Sequence, residues 1–188
     1  MSEQRVAGCE KRNSQLAILI IGLGNPLRGD DGVGPRVVTE LRRRGLPEGV
    51  EAIDAGTGGL DLLRVMEGRD AVIVVDAAEV GREPGAFVRF TPEEVRLQLR
   101  GRGFSLHDAG LAEALALASA LAHPLPPITL FGVQPERIGW EEGLSPAVEE
   151  AIPALVEAIL REVRKQPATS NEQLAIEVGE DHGEDSDH

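Results

Sequence analysis

Two carboxylates and an imidazole, Asp31, Asp76 and His107, are the side chains of this sequence best suited to shared chemistry. Oxygen donors with one nitrogen donor make a hard-to-borderline set, fit for nickel, zinc or a similar divalent ion. Asp31 lies in the loop Gly22-Leu23-Gly24-Asn25-Pro26-Leu27-Arg28-Gly29-Asp30-Asp31-Gly32-Val33-Gly34, whose five glycines permit turns closed to other residues. Asp76 follows the apolar run Ala71 to Val75, and His107 stands just before an Ala-rich helical segment. In open α/β sheets ligands collect beyond the carboxyl ends of the strands, where loops converge and helix N-termini point their positive ends inward. Each residue also has a plainer use. Asp30 or Asp31 could cap the next helix, Asp76 could satisfy loop amides, and His107 need not be a ligand. No spacing rule requires the three to meet.

Other chemistries lack their parts. There is no H-E-x-x-H helix and no G-x-S-x-G elbow, so Ser105 near His107 has no hydrolase setting. After Gly22 and Gly24 the third glycine of a dinucleotide fingerprint is replaced by Leu27, and the loop has Arg28 but no Walker lysine.

The elements that must position the three residues follow from the hydrophobic pattern. Short solid apolar runs predict strands over Ala17–Ile21, Val50–Ile53, Ala71–Val75, Ala86–Phe90 and Ile128–Val133. The second, third and last of these read as central strands, covered on both faces. Helical periods predict helices over Gly34–Arg44, stopped by Gly45, over Gly59–Met66, and over Ala109–Ala122 with Asp108 as N-cap. A last helix should open at Ser145-Pro146, carry a stripe from Val148 to Val163 and kink at Pro153. The fold class is therefore α/β, a three-layer αβα sandwich around a mostly parallel, twisted five-stranded sheet.

A length of 188 residues suits one domain, expected over residues 16–165, after a flexible leader over 1–15. The net charge is −13, and residues 166–188 hold seven acids and no Lys or Arg, so this tail should be disordered. Its His182 and His188 could chelate a cation weakly, but a solvated tail explains them. Acidity without a basic stripe or an aromatic stacking set argues against nucleic acid. The longest apolar run, Leu16 to Leu23, is too short to span a bilayer, which argues against a membrane partner. A single cysteine, Cys9, suits a reducing, cytoplasmic setting. The Ala-rich third helix could form a dimer face or bury itself, and a monomer is the expectation.

The glycine loop from Ile20 to Gly34 strongly resembles the opening motif of the [NiFe]-hydrogenase maturation endopeptidases. Asp54-Ala55-Gly56-Thr57-Gly58-Gly59 is similar to that family's second loop, Val74-Val75-Asp76-Ala77 to its third, and Ser105-Leu106-His107-Asp108-Ala109-Gly110-Leu111 to its histidine motif. Phe131 to Glu136 and Gly143 to Pro146 resemble its closing signature, so the resemblance spans about residues 17–163. It implies an αβα fold of the phosphorylase/hydrolase-like kind and a hydrolase that removes the C-terminal peptide of the hydrogenase large-subunit precursor after nickel insertion. The substrate's nickel would be the recognition element, with zinc or cadmium able to substitute in vitro. The family's metal-contacting residues fall on Asp31, Asp76 and His107, which the resemblance makes both metal-contacting and catalytic. Many members carry Glu where this chain has Asp31, one methylene shorter. Asp54, Gly56, Thr57 and Gly58 would bind substrate, through backbone N–H groups and a helix end. A non-cleaving nickel-sensing chaperone of the precursor would use the same ligands. Gly22-Leu23-Gly24-Asn25-Pro26 also resembles the start of peptidyl-tRNA hydrolases, but that family's next glycine is Leu27 here and its downstream Asn-and-His segment is missing.

Overall fold

The computed structural model describes residues 17–92, 94 and 109–166. The strands are β1 (Ile18–Gly22), β2 (Val50–Asp54), β3 (Ala71–Ala77), β4 (Phe87–Phe90) and β5 (Ile128–Val133). The helices described are α1 (Val33–Arg44), α2 (Asp61–Met66), α3 (Ala109–Ala120) and α4 (Pro146–Lys165), with a 3-10 turn over Asp30–Gly32. The expected leader over 1–15, the tail beyond Gln166, and Ser105, His107 and Asp108 lie outside the described residues.

The sheet order is β2-β1-β3-β5-β4, parallel throughout except for antiparallel β4. Alternation sorts the central strands between two cores, because successive side chains of a strand point to opposite faces. Ile18 and Ile20 of β1 join Ala71, Ile73 and Val75 of β3 in one core with Val37, Leu41 of α1 and Ile152, Leu155, Ile159 of α4. Leu19 and Ile21 join Val72 and Val74 in the other, under Leu62, Met66 and Leu111. Full burial of such side chains stabilises by about 1.5–3 kcal/mol each, so these two interfaces hold the layers together. The result is the expected three-layer sandwich.

One strand assignment needs correction. β2 is an edge strand, and of its five residues only Ala52 is buried. The central strands are β1, β3 and β5, each buried along its whole length. Glu51 explains the difference: at an edge its carboxylate reaches solvent and pairs with Arg69 at 2.7 Å, which a central position would forbid. β3 also runs two residues beyond Val75, because Asp76 and Ala77 continue the ladder opposite Gly132 and Val133. Asp76 is thus inside the strand end rather than in the loop after it.

Helix ends follow local chemistry. Gly45, at φ 84°, stops α1, and Ser145 caps α4 by accepting a hydrogen bond from Val148 N. α4 is assigned unbroken through Pro153. Leu111, Ala114 and Ala118 of α3 are buried within the chain. Among the described residues no helix is long and apolar enough to cross a membrane.

Candidate functional site

β1, β2 and β3 are parallel, so the loops following them emerge at one edge of the sheet. The first loop leaves β1 beside the ends of its neighbours: Leu23 N donates to Val75 O at 2.9 Å, and Gly24 N donates to Gly56 O at 2.8 Å. Two glycines make this closeness possible. A Cβ on Gly24, whose φ is 113°, would run into the Asp31 carbonyl. A Cβ on Gly34 would stand 2.7 Å from Val75 O and collide with the Leu23 backbone. The close approach packs the 3-10 turn bearing Asp30 and Asp31 against β3, the strand whose end carries Asp76.

The two adjacent acids of the turn have different partners. Asp30 is fully buried and is saturated from far along the chain. Its Oδ2 accepts from Glu136 N at 2.8 Å, Arg137 N at 3.1 Å and Ser145 Oγ at 2.9 Å, while Oδ1 accepts from Ser145 N at 2.6 Å. It ties the first loop to the segment after β5 and to the start of α4. Neither acid caps α1, whose N-cap is Gly32 without a side-chain bond. The structure therefore replaces the capping alternative with a long-range clasp, which sequence reasoning missed. Its partners lie 106 to 115 residues away, so no local signal could have shown it.

Asp31 is only 3% exposed, yet it is lightly held. Oδ2 accepts from Asn25 N at 3.0 Å and lies 4.0 Å from Arg28 Nη1. Among the described residues both contacts fall on Oδ2, which leaves Oδ1 as the oxygen available to an incoming group. Asp76 is buried as well, at 2% exposure. Carboxylate oxygens of this kind are hard donors of the type that divalent cations take. His107 lies outside the described residues, and among those described no three His, Cys, Asp or Glu side chains form a metal cluster.

The second loop follows β2. Asp54 is exposed, and its Oδ1 accepts from Gly56 N at 2.9 Å, the Asx-turn by which an aspartate folds the backbone two residues on. Gly58 N donates to Ala55 O at 3.1 Å. Ala55 N donates to Gly22 O at 3.0 Å, so three of the loop's amides are engaged, and among the described residues Thr57 and Gly59 are the loop's remaining amide donors. Gln134, from the segment after β5, holds the β3–β4 connection: Oε1 accepts from Val80 N at 2.9 Å and Nε2 donates to Glu79 at 2.8 Å.

Comparison with known proteins gives a consistent family. Residues 35–162 match the model of the family described as hydrogenase maturation protease. The hydrogenase 2 maturation protease of Escherichia coli K12 is 36% identical over 163 residues, covering 86% of this chain and 99% of that protein. The hydrogenase expression/formation protein HupD of Bradyrhizobium diazoefficiens is 36% identical over 137 residues, covering 72% of this chain and 71% of its own. Among solved structures, the hydrogenase maturating endopeptidase HybD of E. coli superposes with a TM-score of 0.69 at 36% identity, covering 79% of this chain and 93% of that one. The [NiFe] hydrogenase maturation protease HybD of Thermococcus kodakarensis gives a TM-score of 0.67 at 27% identity, covering 78% and 99%.

Proposed function

This chain belongs to the hydrogenase maturation protease family and is a peptide-bond hydrolase, and from that premise we propose that it removes the C-terminal peptide of a nickel-loaded [NiFe]-hydrogenase large-subunit precursor. Asp31, Asp76 and His107 read the precursor's nickel. The observation that carries this reading is the pair of buried acids, Asp31 and Asp76, on two elements packed together at the carboxyl edge of the sheet. Asp31 is buried while its contacts described above fall on Oδ2 and not on Oδ1, and a cation arriving with the substrate offsets the cost of that burial.

In this reading the nickel is part of the substrate. When coordinated, it supplies Lewis-acid polarisation near the scissile carbonyl. The chain's own residues do the rest. Asp31 presents Oδ1 because Asn25 N and Arg28 hold Oδ2 in place, and the Asp30 clasp fixes the turn below it. Water attacks the carbonyl carbon, a carboxylate of the pair takes its proton, and the proton passes to the leaving amide nitrogen as the C–N bond breaks. Holding the precursor in one orientation contributes several kcal/mol to such a step, on the order of the effect of proximity in enzymes generally. The second loop, shaped by Asp54 through the engaged amides of Gly56 and Gly58, borders the substrate path, and Thr57 is its donor. The reading includes a monomer working in the cytoplasm, in keeping with the burial of Leu111, Ala114 and Ala118 of α3 within the chain and with a single cysteine in the sequence.

The experiment is direct. Purified protein is incubated with precursor that carries nickel and with precursor that lacks it, and the products are weighed by mass spectrometry. Loss of a C-terminal peptide from the nickel-loaded chain alone is the expected result. Equal cutting of both, or stable association with an uncut chain, would sink the proposal.

A further inference from the structure

Trp140 is the sole tryptophan of the chain and is 84% exposed. An indole left in water so completely is unusual, because burying it would remove a large apolar surface from solvent. It is also not at the tip of a slack loop. Trp140 is the middle residue of a three-residue turn closed by Glu141 N to Gly139 O at 2.9 Å, which turns the central residue outward. Arg137 Nε pairs with Glu141 Oε1 at 3.0 Å across the same turn. Gly29 N donates to Glu141 O at 2.7 Å, and Arg28 bridges Glu141 in parallel.

That bridge sets Leu27 and Trp140, the residues just before the paired positions, on neighbouring stretches of backbone. Leu27 is 50% exposed and is pinned in turn, its N–H donating to Asn25 Oδ1 at 3.0 Å. Asn25 also holds Asp31, so the apolar pair and the candidate catalytic acid share one support. Two of the four exposed large hydrophobic residues described in the chain thus lie on bridged stretches of backbone, Leu27 four residues before Asp31, and a third, Leu60, is the N-cap of α2 just after the second loop.

We propose that Leu27 and Trp140 seat the C-terminal peptide that the enzyme removes, by taking one or two apolar side chains of that peptide beside the scissile bond. This rests on the processing reading above. The occupant follows from three features. The patch is tied to Asp31 through shared neighbours: Asn25 holds both Leu27 and Asp31, and Arg28, which bridges Glu141, lies 4.0 Å from Asp31. Its size matches one or two side chains of an extended segment and not the face of a folded subunit. The exposed Glu142 follows two residues after Trp140, while Glu141 is already paired with Arg137, so a basic residue next to the apolar one would complement the seat through Glu142.

The lone indole is its own reporter. Wild-type protein is titrated, by tryptophan fluorescence, with nickel-loaded precursor whose own indoles are replaced by a non-fluorescent analogue, then with the processed subunit and with the synthetic C-terminal peptide. A shift with precursor and with peptide, but not with the processed subunit, is expected. In cleavage assays Trp140→Ala should raise KM about tenfold and leave kcat within about twofold, the pattern of lost uniform binding. Trp140→Phe should restore most of the loss, and Leu27→Ala should give a smaller rise of KM. Leu121→Ala removes another exposed leucine, 68% exposed, on the connection leading to the amino end of β5, and should change nothing. Unchanged KM in Trp140→Ala would overturn the seat. So would an equal fluorescence response to the processed subunit, which would put the subunit's body on the patch, or a shift with protein concentration alone, which would make it a contact between two copies. Wild-type protein that fails to cut the precursor overturns the processing reading itself, and is told apart because every variant then fails alike.

Discussion

Buried acids occur in two regions of this molecule, and they are treated in opposite ways. On the helices, Glu40 of α1 is gripped by Arg43 at 2.7 Å and Arg44 at 2.8 Å, with Arg36 at 3.8 Å. Glu162 of α4 is paired with Arg89 of β4 at 2.7 Å and with Lys165 at 3.2 Å. At the carboxyl edge of the sheet, Asp30 is held by three backbone amides and one hydroxyl, and Asp31 by one amide with a guanidinium at 4.0 Å. Cations close a carboxylate: they cancel its charge and occupy its lone pairs. Neutral amides fix its position without cancelling the charge. The helix acids are therefore finished structural pairs, whereas the sheet-edge acids are held mainly by neutral donors, which is why the proposed reading brings the precursor's cation to Asp31.

The contrast breaks most sharply at the site residues. Asp76→Asn and His107→Ala should each lower the cleavage rate by about a thousandfold or more, since each removes a group asked to hold or activate the reacting centre. Far-ultraviolet circular dichroism and the thermal midpoint should stay close to wild type. A variant that cuts at the normal rate would remove its residue from the site. Asp31→Glu sharpens the same test, because the added methylene extends the ligand without changing its chemistry. It should retain activity within about tenfold, while Asp31→Ala should not.

Asp30 gives the next largest effect, and on a different observable. Asp30→Ala leaves the buried amide and hydroxyl of Ser145 and the part-buried amides of Glu136 and Arg137 without their acceptor, a loss of about 3–5 kcal/mol in urea unfolding. Ser145→Ala removes one of the four bonds and the α4 cap, and should cost about 1–2 kcal/mol. If Asp30 is a positioning residue, variants that remain folded should lose kcat more than they raise KM. Equal stability of Asp30→Ala and wild type would show that the clasp does not hold the loop.

Much of the sheet was legible because its signals are local. Ile18 to Ile21 and Ala71 to Val75 are unbroken apolar runs, and only strands buried on both faces accommodate them. The rank of β2 was not, since Val50-Glu51-Ala52-Ile53-Asp54 is short and strand order depends on which neighbours pair across long loops. The same limit governs the site. Asp31 and Asp76 could be named from strand ends and from the family resemblance, but Asp30 and Asp31 are chemically identical neighbours. What separates them is the arrival of Glu136, Arg137 and Ser145 from the other end of the chain. Trp140 escaped for a related reason, as exposure is decided by the fold and a lone Trp in sequence reads as core.

The smallest effect tests the helix acids. The guanidinium hydrogen bonds of Arg43 and Arg44 hold the Glu40 carboxyl at about 2, well below its ordinary 4.5. Arg89 and then Lys165 lower Glu162, against the opposing pull of burial. A carboxyl depressed in the folded state contributes stability that is fully present above the unfolded value, near 4.5, and is lost as pH falls towards the folded one. Between pH 4.5 and 2 the thermal midpoint of wild-type protein should therefore drop, and Glu40→Gln should flatten that slope because it has no proton to take up. Glu162→Gln should act in the same direction. Near neutral pH both variants should cut precursor within about twofold of wild type, since these carboxylates are already paired with their cations. A large loss of cleavage in Glu40→Gln with the fold intact would erase the distinction between the two regions, because a closed ion pair on α1 would then be acting on the sheet-edge site.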